Sequence, residues 1–358
     1  MFKREIAELP LHSGKAPVWL FQRMKKLARE IILIFAIENR TDEFLRKLSD
    51  PFWFQALGCI LGFDWHSSGL TTTTGAALKE GLGELSHEIG LYIVGGKGKT
   101  ALNTPEEITK LAEKEGFDPQ KWIFISRIVA RVDNNAIQDG YQLYHHLLIF
   151  TKKGTWCVIQ QGMNNKNNFA RRYHWLGEEL KSFTEEPHKG IITQKFEDYV
   201  VNLVAKESKQ TQEIITTLMK EDPNKVISLW NKVSLKLPSY HPITPKEIKS
   251  ENLKKILLKT YEAPPKDFQE VLLKEGVGAK TLRALTLISE LVYDTPASIK
   301  DPARFSFAHG GKDGHPYPVD KKNYDKTIEI LERAIKNAKL GRREELETLK
   351  RLSFYFRI

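Results

Sequence analysis

The spacing of apolar residues predicts helices and strands in the first 190 residues. Apolar positions recur every three or four residues over 17–39, with basic residues between them, which is typical of an amphipathic helix packed on a core. Residues 143–150 and 155–161 are apolar runs separated by a Lys-Lys-Gly turn, and this pattern predicts a β-hairpin. Residues 90–94 predict a further buried strand that runs into a glycine loop.

The second part of the chain has a helical pattern almost throughout. From residue 193 onward the pattern is broken at Asp222-Pro223, at residues 238–245 and at Pro264-Pro265. We therefore predict an α+β protein with two domains. Residues 1–190 are expected to form a mixed α/β domain with a small sheet, and residues 191–358 an all-α domain.

Composition narrows the class of protein. The 358 residues are 41% hydrophobic and 28% charged, which is ordinary for a globular protein and argues against disorder. The longest apolar run, residues 31–37, is far shorter than the roughly 20 residues that cross a bilayer. The N-terminus carries charges where a signal peptide is apolar, so we expect a cytoplasmic protein without membrane segments. The two cysteines, Cys59 and Cys157, predict neither a disulfide framework nor a zinc site.

The excess of basic residues favours a polyanionic partner. The formal net charge is +10, and residues 191–358 contain 30 Lys and Arg against 23 Asp and Glu. Each phosphate that a basic side chain neutralises releases counterions and adds affinity that does not depend on base sequence. DNA is therefore the partner that we expect, although net charge alone is a weak criterion.

A glycine-containing turn between two predicted helices is more specific. Residues 264–275 are typical of a helix opened by proline, and residues 279–293 of a second helix. This arrangement near residues 265–293 resembles the helix-hairpin-helix motif of DNA-repair and recombination proteins. The resemblance implies backbone amides and a helix dipole that bind a DNA phosphate without reading base sequence. An ordinary tight turn is the structural alternative. The residues that would contact DNA are Gly276, Gly278, Lys280, Thr281 and Arg283.

The same turn resembles a catalytic segment. Residues 276–281 are similar to the stretch of the endonuclease-III-like DNA glycosylases in which a lysine attacks the sugar carbon. The resemblance implies Lys280 as the nucleophile and Asp294 as the downstream aspartate. Their separation of 14 residues is shorter than the family pattern, and the iron–sulfur cysteines of the family's type member are absent. Lys280 is equally suited to a simple phosphate contact.

Clustered Asp, His and Arg residues in the first domain are candidates for chemistry. Asp64 and His66 lie in a loop between glycines, and Arg131, Asp139 and His146 lie before and on the predicted β-hairpin. Asp with His can hold a divalent metal such as Mg or Mn, or act as an acid–base pair, and phosphodiester hydrolysis needs one or both. Adjacent strand residues face opposite sides, so His145 and His146 cannot share a site. Each histidine could equally be structural.

Three further segments are candidate DNA contacts. Lys97 and Lys99 lie in a glycine loop that does not match the P-loop pattern, which disfavours nucleotide hydrolysis. Arg171 and Arg172 precede Tyr-His-Trp, a mixture of cations and aromatics that is typical of single-strand binding, although a solvated strand edge has the same pattern. Lys312 lies in a Gly- and Pro-rich segment about 30 residues past the glycine turn.

Five short segments together resemble a known family. They are residues 7–12, 54–59, 62–69, 138–146 and 307–314. The first segment reads Ala-Glu-Leu-Pro-Leu-His, and the last reads Phe-Ala-His-Gly-Gly-Lys-Asp-Gly. The chain resembles a prokaryotic, largely archaeal family catalogued as domain of unknown function 763. The resemblance spans nearly the whole chain and implies no established activity.

Three functional hypotheses follow. The first is a metal-dependent deoxyribonuclease that acts in DNA repair or recombination, because a phosphate-binding turn is joined to a domain rich in Asp, His and Arg. The second is a DNA glycosylase or lyase that uses Lys280, and the third is a non-catalytic DNA-binding repair protein. A homodimer is compatible with the sequence, which does not decide the oligomeric state.

Overall fold

A computed structural model describes residues 16–62, 69–166, 169–193, 195–237 and 248–306, together with 329 and 333. The helices are α1 (Val18–Ile37), α2 (Thr41–Ser49), α3 (Pro51–Ile60), α4 (Gly69–Leu82), α5 (Leu85–Ile89), α6 (Lys99–Leu102), α7 (Thr104–Glu115), α8 (Gln120–Arg131), α9 (Lys209–Leu218), α10 (Pro223–Lys236), α11 (Ser250–Glu262), α12 (Phe268–Leu273) and α13 (Ala279–Tyr293). The strands are β1 (Leu91–Lys97), β2 (Ile137–Gln138), β3 (Gln142–Thr151), β4 (Trp156–Asn164), β5 (Phe169–Leu176), β6 (Gly190–Thr193), β7 (Val201–Asn202) and β8 (Phe305–Ser306).

Six strands form the central sheet in the order β1-β3-β4-β5-β6-β8. The first five pair antiparallel, and β8 pairs parallel with β6. The predicted β-hairpin is confirmed as β3 and β4, and the predicted strand before the glycine loop as β1. A separate pair, β2 with β7, follows a π-helical turn over residues 132–136.

Helices cover both faces of this sheet, so the fold is mixed α/β. One face packs on α1 to α4 through residues such as Ile93, Leu147 and Ile159. The other face packs on α7 to α13, and its buried side chains form one continuous cluster that includes Val158 of β4 and Leu285 of α13. The apolar core thus continues past residue 190, and the independence of the two expected domains stays a prediction.

The predicted N-terminal amphipathic helix is confirmed as α1. Its buried side chains include Met24, Leu27 and Ile31, and basic residues lie between them in the sequence. Within the described ranges, every helix is too short or too polar to cross a membrane.

The predicted break at Asp222-Pro223 coincides with the start of α10, whereas the helix predicted from Pro264 begins only at Phe268, and aspartate caps both helices. The Asp222 carboxylate accepts the amides of Asn224 and Lys225 at the start of α10. The Asp267 carboxylate accepts the amide of Glu270 at the start of α12. Because these side chains satisfy amides that lack partners within the helix, they fix where α10 and α12 begin.

Candidate functional site

Helices α12 and α13 are joined by a turn at residues 274–278, and this segment, residues 268–293, is termed the helical hairpin. Gly276 has φ +81°, a left-handed conformation that favours glycine, whereas Gly278 is extended with φ −138°. A Cβ added to Gly278 would meet no atom within 4 Å. The turn therefore leaves room for another molecule to approach its backbone.

The N-terminus of α13 is not capped by a side chain. Gly278 is the N-cap residue and supplies no side-chain oxygen. The first amides of an α-helix have no partner within the helix, and the helix dipole makes this end electropositive. Lys280 is exposed here, whereas Thr281 is buried with 5% exposure, which corrects the expectation that its side chain contacts DNA.

Side chains from the strand region hold this turn. The Arg131 guanidinium donates from Nη1 to the Val277 carbonyl at 3.1 Å. Gln138 donates from Nε2 to the Ala279 carbonyl at 3.0 Å and accepts from Nε of Arg283 at 2.9 Å. Arg131, which the sequence suggested for the chemistry of the first domain, thus contacts the helical hairpin.

Lys280 and Asp294, the two residues of the glycosylase-like resemblance, lie far apart. Both residues belong to α13, Lys280 at its second position and Asp294 as its C-cap. Fourteen residues of α-helix span about 21 Å. The two residues lie at opposite ends of the helix, and the glycosylase-like interpretation stays a prediction.

Arg171 lies in a buried ion-pair network on the α8 side of the sheet. Its guanidinium contacts the Asp139 carboxylate at 3.0 Å and the Asp301 carboxylate at 2.7 Å, and its side chain is fully buried. Asp139 also accepts from the Tyr173 hydroxyl at 2.6 Å. Burial raises the pKa of Asp139 to about 6, against the opposing effect of Arg171. This corrects the expectation that Arg171 is an exposed DNA contact.

Arg172 is buried on the opposite face of the sheet. It donates from Nε to Nε2 of His174 at 2.9 Å, and its guanidinium lies 5.0 Å from the Phe54 ring centroid. Burial lowers the pKa of Arg172 to about 9, and burial with the nearby Arg172 charge holds the pKa of His174 well below its usual range. The expected cation–aromatic surface at residues 171–175 is therefore internal, which corrects that prediction.

His146 lies in a second buried polar network. Its Nε2 pairs with the Ser126 hydroxyl at 2.9 Å and its Nδ1 with Oε1 of Gln160 at 2.7 Å. Gln160 donates in turn to Asp133, which also pairs with Nε2 of His188 at 2.5 Å. Burial lowers the pKa of His146, so the ring is neutral and fully engaged by its neighbours.

His145 faces the other side of the sheet, as the strand alternation predicted. It is 1% exposed, and both ring nitrogens lack a hydrogen-bond partner. The ring packs beside Gly75 of α4, where a Cβ would come within 3.4 Å of it. Burial lowers the pKa of His145 to about 3, which keeps the ring neutral.

The first two glycines of the predicted loop, Gly95 and Gly96, lie within β1 and pair with β3. Gly95 has φ +93°, and a Cβ there would collide with the His146 carbonyl of β3. Its amide donates to Oε2 of Glu107 at 2.8 Å. Glycine at this position therefore permits the close approach of the neighbouring strand β3. Lys97 and Lys99 are exposed beyond Gly95.

The described residues contain no group of three or more His, Cys, Asp and Glu side chains that could hold a metal ion. Asp139 and His146 belong to the separate networks described above. The predicted ligands Asp64 and His66 lie outside the described residues, as does Lys312. The metal site stays a prediction.

Sequence reasoning did not select several residues of these networks. Ser126 and His188 stand alone in their segments, and Asp301 lies 130 positions from Arg171. Such partners are set by long-range pairing, which periodicity does not encode. Gln138 is the first residue of the segment 138–146, which belongs to the family resemblance. This resemblance was the available sequence signal for a role of Gln138.

Comparison with known proteins identifies the family alone. No curated protein matches the chain, and no solved structure matches it. The sequence model of one family, described as a protein of unknown function, DUF763, matches residues 5–319. This match covers most of the 358 residues and agrees with the resemblance seen in the short segments. The chain therefore belongs to the DUF763 family of proteins of unknown function.

Proposed function

We propose that this protein is a DNA-processing protein that binds the DNA backbone through the turn between α12 and α13. The observation that carries the proposal is the uncapped N-terminus of α13, preceded by Gly276 in a left-handed conformation and by Gly278 with open space beside it. Backbone amides and a helix dipole at such an end attract a phosphate group. Contacts of this kind give affinity without base specificity.

Basic side chains around the turn support a polyanionic ligand. Lys280 is exposed at the start of α13, and α11 lies beside the turn, since a Cβ at Gly276 would come 3.3 Å from Ile256. Exposed Lys255 precedes Ile256, and Lys259 forms an ion pair with Glu275 of the turn at 3.1 Å. Several phosphates could be neutralised along this face, which makes affinity dependent on salt.

The test compares DNA affinity of the wild type and Gly278→Ala as salt is raised. The added methyl group meets no protein atom, so the fold is kept while the approach of a phosphate is blocked. We expect a steep fall of wild-type affinity with salt and at least tenfold weaker binding by Gly278→Ala. Gln142→Ala is the control, because that side chain is exposed at the start of β3 and its loss leaves the backbone unstrained. Equal affinity of the wild type and Gly278→Ala would exclude this binding mode.

For the reaction, we propose hydrolysis of DNA phosphodiesters at a divalent-metal site that contains Asp64 and His66. The support is that both residues stand two positions apart in the sequence, shortly before α4, in a chain for which we propose a phosphate-binding turn. Asp64→Ala and His66→Ala should each abolish cleavage, and EDTA should do the same, while DNA affinity changes by less than about 1 kcal/mol. Cleavage that persists in EDTA would rule out a metal-dependent reaction, and the absence of cleavage by the wild type would leave a DNA-binding protein.

A further inference from the structure

Two side chains outside the helical hairpin determine how its turn is presented. We infer that Arg131 and Gln138 are positioning residues that aim the backbone amides of Gly278 and Lys280 at a bound phosphate. This inference rests on the proposed function, because it concerns the same turn. It assigns to the α/β part of the protein a defined role in DNA binding.

The argument begins with the geometry of the peptide unit. The carbonyl of Val277 and the amide of Gly278 belong to one planar trans peptide, in which the C=O and the N–H point in opposite directions. Arg131 donates to the Val277 carbonyl at 3.1 Å from the end of α8. By holding this carbonyl toward α8, Arg131 directs the Gly278 amide away from α8.

Gln138 orients the peptide unit between Ala279 and Lys280 in the same way. The Ala279 carbonyl shares its peptide unit with the Lys280 amide, and Gln138 donates to that carbonyl at 3.0 Å. The same side chain accepts from Nε of Arg283 at 2.9 Å. One amide group therefore fixes both the first residue of α13 and the guanidinium four positions further on.

Gln138 is well placed to act as a fixed support. It is half-buried and belongs to β2, where it pairs with Val201 of β7. The π-helical turn at residues 132–136 separates it from Arg131, so both side chains project from one short, largely buried segment. The support thus comes from the core of the α/β part.

The turn needs such support because it contains two glycines. Glycine has more backbone freedom than any other residue, and this freedom is lost when a ligand fixes the turn. Groups that hold a binding loop in its bound conformation reduce this cost and raise affinity. Arg131 and Gln138 therefore strengthen DNA binding without touching the DNA.

The experiment uses Gln138→Ala in the full chain, with Gln142→Ala as the matched control, since Gln142 is an exposed glutamine at the start of β3. Hydrogen exchange is measured without DNA at the amides of Val277 and Leu282, which bond to the Lys274 and Gly278 carbonyls, and amides of β3 and β4 report whether the fold is kept. We expect exchange in the turn to accelerate about tenfold in Gln138→Ala, with about tenfold weaker DNA binding and an unchanged salt slope, because the lost contacts are internal hydrogen bonds.

Arg131→Met separates positioning from direct contact. We expect weaker binding with the same salt slope, whereas a slope lower by about 1 would show that Arg131 contacts a phosphate and would overturn its positioning role. Exchange and affinity equal to those of Gln142→Ala would overturn the role of Gln138. Failure of the wild type to bind DNA would instead remove the proposed function, while faster exchange in Gln138→Ala would still establish the support of the turn.

Discussion

Two regions of the protein use charged and polar side chains in opposite ways. One is the helical hairpin, residues 268–293. The other comprises the two buried networks on the sheet, together termed the sheet network, which contain Asp139 with Arg171 and Asp133 with His146 and Gln160. In the sheet network they are buried and pair with one another. In the helical hairpin Lys280 is exposed beside an uncapped helix start. A cluster of Asp, His and Arg therefore indicates a ligand site only where the fold leaves the groups open to one.

The sheet network also shows what burial demands of polar residues. Arg171 and His146 are placed where apolar side chains would be expected. The Arg171 Nη atoms bond to two carboxylates, although its Nε has no partner, and both ring nitrogens of His146 are paired. Such networks are costly to break, since a single deletion leaves buried partners without a counterpart. We therefore expect the sheet network to determine stability and the helical hairpin to determine DNA binding.

Arg171→Met should give the largest effect on stability. It leaves the buried carboxylates of Asp139 and Asp301 without their cation, and we expect a loss of about 3–5 kcal/mol in the free energy of unfolding. Urea unfolding measures this loss. Arg46→Met is the control, because Arg46 is half exposed in its ion pair with Glu178 and its loss should cost at most about 1 kcal/mol. Equal losses would contradict the structural role of the sheet network.

The pH dependence of stability should follow the buried histidines. The pKa values of His145, His146 and His174 are lowered in the folded protein, so below pH 6.5 the unfolded chain binds more protons and stability falls on acidification. Asp139 acts in the opposite sense, because its pKa is raised to about 6 and the folded state takes up its proton first between pH 6 and 4. Each titrating group changes the slope of stability against pH by at most about 1.4 kcal/mol per pH unit. The three histidines together therefore outweigh Asp139.

Urea unfolding at several pH values between 7.5 and 4.5 tests this balance. Stability should fall as the pH is lowered, and more steeply in Asp139→Asn, which removes the opposing group. Stability that is constant or that rises toward pH 4.5 in the wild type would contradict the neutral, buried state of the histidines.

The smallest effect is expected at Glu275, an acidic residue of the turn that is almost fully exposed. Glu275→Gln removes a negative charge beside the proposed phosphate contact, and DNA affinity at low salt should rise about twofold. Glu113→Gln, on the exposed face of α7, is the matched control and should leave affinity unchanged. A rise in both variants would reflect net charge alone, and no rise at Glu275 would argue against DNA at this turn.

Local patterns predicted the elements better than the roles of residues. The helix α1, the hairpin of β3 and β4, and the two helices around Gly276 follow from periodicity and turn residues. The burial of Arg171 could not be predicted in this way, because its partner Asp301 lies 130 residues further along the chain. Charged residues in a strand resemble a solvated edge until their long-range partners are known.

The helical hairpin could be predicted and the side chains that support it could not. Gly276, Gly278 and Lys280 stand together in the sequence, and their pattern depends only on neighbouring residues. Arg131 and Gln138 reach the turn from more than 130 residues earlier in the chain. Their contacts arise from the shared core of α8, α12 and α13.

Hydrogen exchange of the full-length protein, with and without duplex DNA at low salt, tests the central claim most directly. Amides that bind phosphate are shielded from exchange, whereas the strands of the sheet network are already buried and should not change. We predict slower exchange at residues 276–283 on addition of DNA and no change at residues 142–176. Slower exchange confined to the strands, or none at the turn in a protein that binds DNA, would contradict the account.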